Sequence, residues 1–184
     1  MRFRHAQLLL LLLSLGATAS GANPVSEVVV NQVLASDSLR AHTFGLLARG
    51  QVAEAIDYWV LTTGQEAPKW LLAARASFDE SKQVAGACQS VAQNIHTAFT
   101  QLGGRPEFVQ LQTRAESEYM VFKLATGQQA SVSHTGYHVL VRMQDRAYDA
   151  YTGAAGMPWA EYMRRMAARS EITEKIVKTV ERVP

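Results

Sequence analysis

The sequence predicts an α+β fold in which a run of helices comes first and a cysteine-bearing helix then packs on a small antiparallel sheet. Three observations predict it. Apolar residues recur at three- and four-residue steps as far as the Gly103-Gly104 pair. Beyond it the period changes to alternation or to dense strand formers, and a tight hairpin joins two of the later runs. At 184 residues and 48% hydrophobic content the chain makes one domain with a sizeable core, neither disordered nor fibrous.

The first residues stand outside that core. Arg2 and Arg4 precede an unbroken apolar run from Leu8 to Leu13, and small residues follow. This is the layout of a secretory signal peptide over residues 1–22, with cleavage near Ala19 or Ala22, and the run is too short to span a bilayer. The expected address is secreted or periplasmic. The whole chain carries 18 Lys and Arg against 16 Asp and Glu, and losing Arg2 and Arg4 leaves 16 of each. A neutral mature chain gives no electrostatic reason to bind nucleic acid or, once the signal is removed, a membrane.

Residues 23–80 read as a helical cap on the part that carries chemistry. Val28, Val29, Gln32 and Val33 begin one stripe, and Leu39, Phe44, Leu46 and Leu47 belong to a second helix ending at Gly50. Val52, Ala55, Ile56, Trp59 and Val60 repeat at helical spacing up to Gly64. Pro68 suits the first turn of a further helix with Trp70, Leu71 and Ala74. No second copy of this pattern recurs at a fixed period, so it is not a repeat array. His42 reads as an ordinary histidine.

A catalytic region is expected over residues 81–184. It opens on Gly86-Ala87-Cys88-Gln89-Ser90-Val91-Ala92, which holds the only cysteine of the chain. Cys88, Val91, Ala92, Ile95, Ala98, Phe99 and Leu102 form the apolar face of a helix, stopped by Gly103-Gly104 and Pro106. A thiol in the first turn of a helix meets unpaired N–H groups and the positive end of the dipole, and both favour the thiolate. The competing reading is a buried, inert cysteine. In an exported chain an odd cysteine must be shielded, paired with a partner or used as a thiol.

Strands follow. Residues 107–112 alternate apolar with polar, and residues 119–124 are dense in strand formers. A polar loop is expected over 126–133, then a hairpin from 137–143 and 146–149. Gly153 and Gly156 mark a loop, and Pro158 starts a last helix with Trp159, Tyr162, Met163 and Met166. In the tail, Ile172, Ile176, Val180 and Val183 fit a helical stripe, while the β-branched content suits a strand.

Of the five histidines, His5 leaves with the signal peptide. His96 lies eight residues past Cys88, about two helical turns away and too far to take the thiol proton. His134 is in a loop, and His138 begins a strand. If the hairpin turns through Gln144-Asp145, then Met143 opposes Arg146, Val141 opposes Tyr148 and Leu140 opposes Asp149. His138, Leu140 and Asp149 then share a face, with His138 and Asp149 as diagonal neighbours roughly 7–8 Å apart along the backbone. A one-residue slip would move Asp149 to the other face. A carboxylate at that place holds an imidazole in the tautomer that deprotonates a thiol. A His and an Asp about this far apart also arise by chance. Their order after a helix-borne cysteine is the logic of a Cys-His-Asp hydrolase.

Four segments resemble a known family: Gly86 to Ala92, Thr135-Gly136-Tyr137-His138-Val139, Arg146-Ala147-Tyr148-Asp149, and Gly156-Met157-Pro158-Trp159-Ala160-Glu161-Tyr162. Together, over about residues 82–166, they resemble the papain-fold domains of bacterial polymorphic toxins, especially the group called papain fold toxin 2. The resemblance implies a papain-like fold with Cys88 as nucleophile, His138 as base and Asp149 as orienter. It also implies a protease, a glutamine deamidase or a related amide hydrolase. Gln83 lies near the place of papain's oxyanion-hole glutamine, displaced in spacing, and the backbone N–H of Cys88 is the other oxyanion donor. The expected partners are a protein or peptide substrate and an inhibitory partner protein. No residue pattern requires a cofactor or a metal. Two further readings stay open, a transglutaminase-like acyl transferase and a non-enzymatic binding module using the helices before Ser77. The Asp-Cys-Ser/Thr-Gly signature of cysteine enzymes that cut cell-wall peptides is absent around Cys88. Tyr137, Tyr151 and Trp159 read as core residues or as walls of a groove.

Overall fold

The computed structural model describes residues 24–180 apart from Glu116, with side chains from Ala35 onward. The expected signal peptide over 1–22, with its cleavage near Ala19 or Ala22, and Val183 of the tail lie outside the described residues. Two compact units divide the chain, residues 1–34 and 35–184, and residues 24–34 of the first are helical. The elements below lie in the second unit, except that helix α1 begins in the first.

The architecture is α+β, with five α-helices and two antiparallel sheets among the described residues. Helix α1 (Pro24–Ala48) is one element where the sequence pattern suggested two, because no proline interrupts it and its one glycine, Gly45, is near its end. Helix α2 (Val52–Thr63) ends on Gly64 in the left-handed conformation, whose N–H bonds back to Val60 O. Helix α3 (Lys69–Ser77) starts directly after Pro68. A short 3₁₀ turn, Glu80–Lys82, is capped by Asp79, and the cysteine helix α4 spans Cys88–Gln101.

The strands are β1 (Glu107–Thr113), β2 (Met120–Lys123), β3 (Gln129–Ser133), β4 (Tyr137–Met143), β5 (Arg146–Tyr148) and β6 (Met157–Pro158). Helix α5 (Trp159–Arg165), β7 (Met166–Ala167) and β8 (Ile172–Val177) complete the order. One sheet runs β6-β5-β4-β1-β8 and the other β3-β2-β7. Two expectations are corrected here and one open alternative is decided. The polar loop of 126–133 contains β3, which pairs with β2 after a turn at Gly127. The tail, which fitted either a helix or a strand, is a strand over 172–177, hydrogen-bonded along β1. Met166 belongs to β7, since α5 stops at Arg165.

The five-stranded sheet separates two apolar layers. On one face Val139, Val141, Met143, Phe108 and Tyr148 pack under α4 through Val91, Ala92, Ile95, Ala98 and Phe99. Leu47, Val52 and Ala74 of the preceding helices join the same cluster. On the other face Val109, Leu111, Leu140 and Ala147 meet Phe122, Val132, Tyr162 and Met166 from the small sheet and α5. Strand side chains alternate, so odd-numbered residues of β4 face α4 while His138 and Leu140 face α5.

A close approach fixes the entry to β4. Gly136 has φ +72°, and a Cβ there would lie 2.1 Å from Thr113 Oγ1. Gly136→Ala therefore combines a left-handed residue with a clash, and should cost at least about 2 kcal/mol. For a chain of this size that lowers Tm by roughly 4–8 °C, which calorimetry would register.

Candidate active site

The site forms where β4 outruns β5. Pairing between them covers Val141↔Tyr148, Arg142↔Ala147 and Met143↔Arg146, the register expected from a turn at Gln144-Asp145. That pairing leaves out residues 137–140 of β4, and the chain turns away at Asp149. Into this opening α4 brings Cys88 from one face of the sheet, while His138 lies on the other.

Asp149 is locked by its own turn. Its Oδ1 accepts the backbone N–H groups of Tyr151 (2.8 Å) and Thr152 (2.9 Å), and Thr152 Oγ1 accepts the Asp149 N–H at 3.0 Å. Its Oδ2 receives Tyr162 Oη–H at 2.7 Å and lies 3.2 Å from His138 Nε2. A carboxylate is an acceptor only, with about four lone-pair positions, and four donors converge on it. His138 and Asp149 are each 1% exposed and Tyr162 is fully buried.

The proton positions on His138 follow from this network. Tyr162 has one hydroxyl proton, and it goes to Asp149, so the 3.1 Å contact between Tyr162 Oη and His138 Nε2 requires an Nε2–H donor. Nε2–H is thus shared between Asp149 and Tyr162, which leaves Nδ1 as the basic nitrogen of the neutral ring. Nδ1 is buried without a well-formed hydrogen bond of its own. The Cys88 thiol and the His138 ring interact, each shifting the other's proton affinity, and with Nε2 taken by Asp149 and Tyr162 the nitrogen left for the thiol is Nδ1.

The electrostatics favour charge separation. Burial pushes the Cys88 thiol up, but the His138 hydrogen bond and charge, with the backbone N–H groups of Val139 and Gln89, bring it below its ordinary value. Burial pushes His138 down, and the hydrogen bonds and charges of Asp149 and Cys88 overcome this and raise it to about 9. Ala87 offers no side-chain cap, so first-turn N–H groups of α4 remain for the sulfur. Tyr151, whose Oη donates to Ser131 O at 2.8 Å, is pushed up to about 12 by burial and by the charges of Asp149 and Cys88.

The other residues singled out in the sequence fall as follows. Gln83 borders the site, where its Nε2 donates to Ala150 O at 3.0 Å and keeps a second N–H. His96 stacks on Phe108 with centroids 4.0 Å apart, and His42 packs tilted against Tyr58 at 4.1 Å. Trp159 lies under the Arg142 guanidinium and beside Tyr162. Tyr137 lines a cleft of about 230 Å³ that opens between Ala85, Gly86, Cys88 and Gln89 on one wall and residues 133–135 on the other. His134 is part of that second wall.

Tyr162 is the site residue that the pattern missed as a partner of His138 and Asp149. Its helical spacing marked it as core, and the remaining signal was chemical, since a buried tyrosine hydroxyl must find a partner. No group of three or more potential metal ligands is found among the described residues, nor any helix long and apolar enough to cross a membrane. Comparison of the chain with family models, curated proteins and solved structures finds no match.

Proposed function

We propose that this chain is an exported, papain-like cysteine hydrolase, a toxin or effector that acts on an amide of a protein or peptide. The amide is a peptide bond or a glutamine side chain. One observation carries the reading: a buried imidazole whose Nε2 is held by Asp149 and Tyr162, with Nδ1 left to a thiol at a helix start. The absence of a cofactor from the reading follows from the chemistry, because thiolate and imidazolium suffice for acyl transfer.

The steps balance on these residues. Cys88 Sγ, as thiolate, adds to the amide carbonyl carbon, and the oxyanion forms opposite the Cys88 backbone N–H, with the spare Gln83 N–H as a second donor. His138 passes its Nδ1 proton to the leaving nitrogen, the C–N bond breaks and a thioester remains on Cys88. Nδ1 then takes a proton from water, whose hydroxide displaces the thiolate and releases a carboxylic acid.

Iodoacetamide capture tests it. At pH 7 a free-thiol peptide is only ~3% thiolate, so Cys88 should be alkylated about tenfold faster. Mass spectrometry of peptide and glutamine substrates then reads the product, cleavage by peptide hydrolysis and +1 Da by deamidation. An amine added in place of water would make the enzyme a transferase. An ordinary thiol pKa, together with undiminished turnover in Cys88→Ala, would overturn the proposal.

A further inference from the structure

The cleft beside Cys88 does not end at Tyr137. Thr135 and Tyr137 also line a second concavity of about 590 Å³, which runs over β1 to β8. Its floor is the part of the sheet's α4 face that α4 does not cover. Phe108 of β1 is buried under the helix, whereas Gln110 and Gln112, two and four residues on along the same face, line the groove.

The described residues lining the groove carry charge of one sign. Lys175 and Lys178 line it, and neither has an ion-pair partner among the described residues. Among the described residues, no carboxylate lines the cleft or the groove. Glu174 is the next residue of β8 and therefore points to the opposite face.

The register measures how far those charges lie from the thiol. Val139, whose N–H faces the Cys88 sulfur, pairs with Gln110, and Gln110 pairs with Lys175. Two strand spacings separate Val139 from Lys175, about 10 Å. An extended polypeptide covers that span in about three residues.

We infer that this groove binds the substrate chain in an extended form and selects a carboxylate side chain two to three residues from the amide that Cys88 attacks. Gln110 and Gln112 offer donors and acceptors for the substrate backbone, and the lysines supply the charge selection. Lysines are point charges on flexible stems, which suits single carboxylates at variable positions better than a fork-matched phosphate. The inference deepens the hydrolase reading and rests on it for the position of the attacked amide.

The test uses the full chain and short labelled peptides with a central glutamine. Glutamate, alanine or lysine stands at the second and third positions, on either side. By fluorescence anisotropy, Cys88→Ala should bind a glutamate peptide about five- to tenfold more tightly than the alanine peptide, less so at high salt. The double variant Lys175→Glu/Lys178→Glu should reverse the preference toward the lysine peptide while its melting curve shows the fold intact. Equal binding of all three peptides, or a preference that survives the double variant, overturns the groove assignment. Wild-type enzyme that turns over none of the peptides, while the charge preference persists in binding, overturns the hydrolase reading instead.

Discussion

Asp149→Asn should lower amide turnover by about 10³–10⁴-fold while the cysteine stays in place. The carboxylate accepts from Tyr151 N–H, Thr152 N–H, Tyr162 Oη–H and His138 Nε2. An asparagine side chain offers one oxygen. If that oxygen keeps the two backbone donors that define the turn, the amide NH₂ faces His138 Nε2–H and the Tyr162 hydroxyl, donor against donor. The imidazole relieves this by moving its proton to Nδ1, the nitrogen that must accept from the thiol. Both groups then lose the pair.

The pH profile separates this from simple unfolding. In the native chain His138 is raised to about 9 and Cys88 is lowered, so thiolate and imidazolium coexist between those limits. Turnover should fall on the acid side as the thiolate takes a proton, and above about pH 9 as the imidazolium loses the proton the leaving nitrogen needs. Removing Asp149 removes a hydrogen bond and a charge that raise His138, so the basic limb must move down. The alkylation midpoint of Cys88 must move up toward the ordinary thiol range. A buried donor left unpaired also costs about 1–3 kcal/mol of stability, which a melting curve measures separately. An unshifted basic limb would deny Asp149 its orienting role.

What the sequence made legible follows from constraints that are local. The hairpin could be read because two residues, Gln144 and Asp145, close it, Gln144 takes φ +54°, and a two-residue loop leaves one register. The helix start at Cys88 could be read because its apolar face and the Gly103-Gly104 stop agree. The misread loop and the undecided tail both lie where tertiary pairing decides. Gln129–Ser133 is too polar to announce a strand, yet β2 supplies its ladder and buries Val132 and Ser133. Residues 172–177 fit two periods equally, and β1, which needed an edge partner beyond β4, selected the strand. The meeting of Cys88 with His138 across the sheet depends on β5 ending at Tyr148, and no single-segment pattern encodes that ending.

Tyr162→Phe should lower kcat by about 10- to 100-fold with KM little changed, a smaller loss than at Asp149 and of a different kind. Phenylalanine keeps the ring that packs 5.2 Å from Phe122 and 6.0 Å from Trp159. The core is therefore conserved in volume, and the melting temperature should change by only a few degrees. What is lost is the hydroxyl that ties His138 Nε2 and Asp149 Oδ2 together from α5. Asp149 remains to hold the tautomer, so Nδ1 still accepts from the thiol, but the ring gains freedom to rotate away from the sulfur. The groups that raise His138 are Asp149 and Cys88, so the basic limb should stay near pH 9 in this variant while it falls in Asp149→Asn. A lower kcat with an unmoved limb is the signature of a positioning residue. An unchanged kcat with reduced stability would make Tyr162 a core hydroxyl and nothing more.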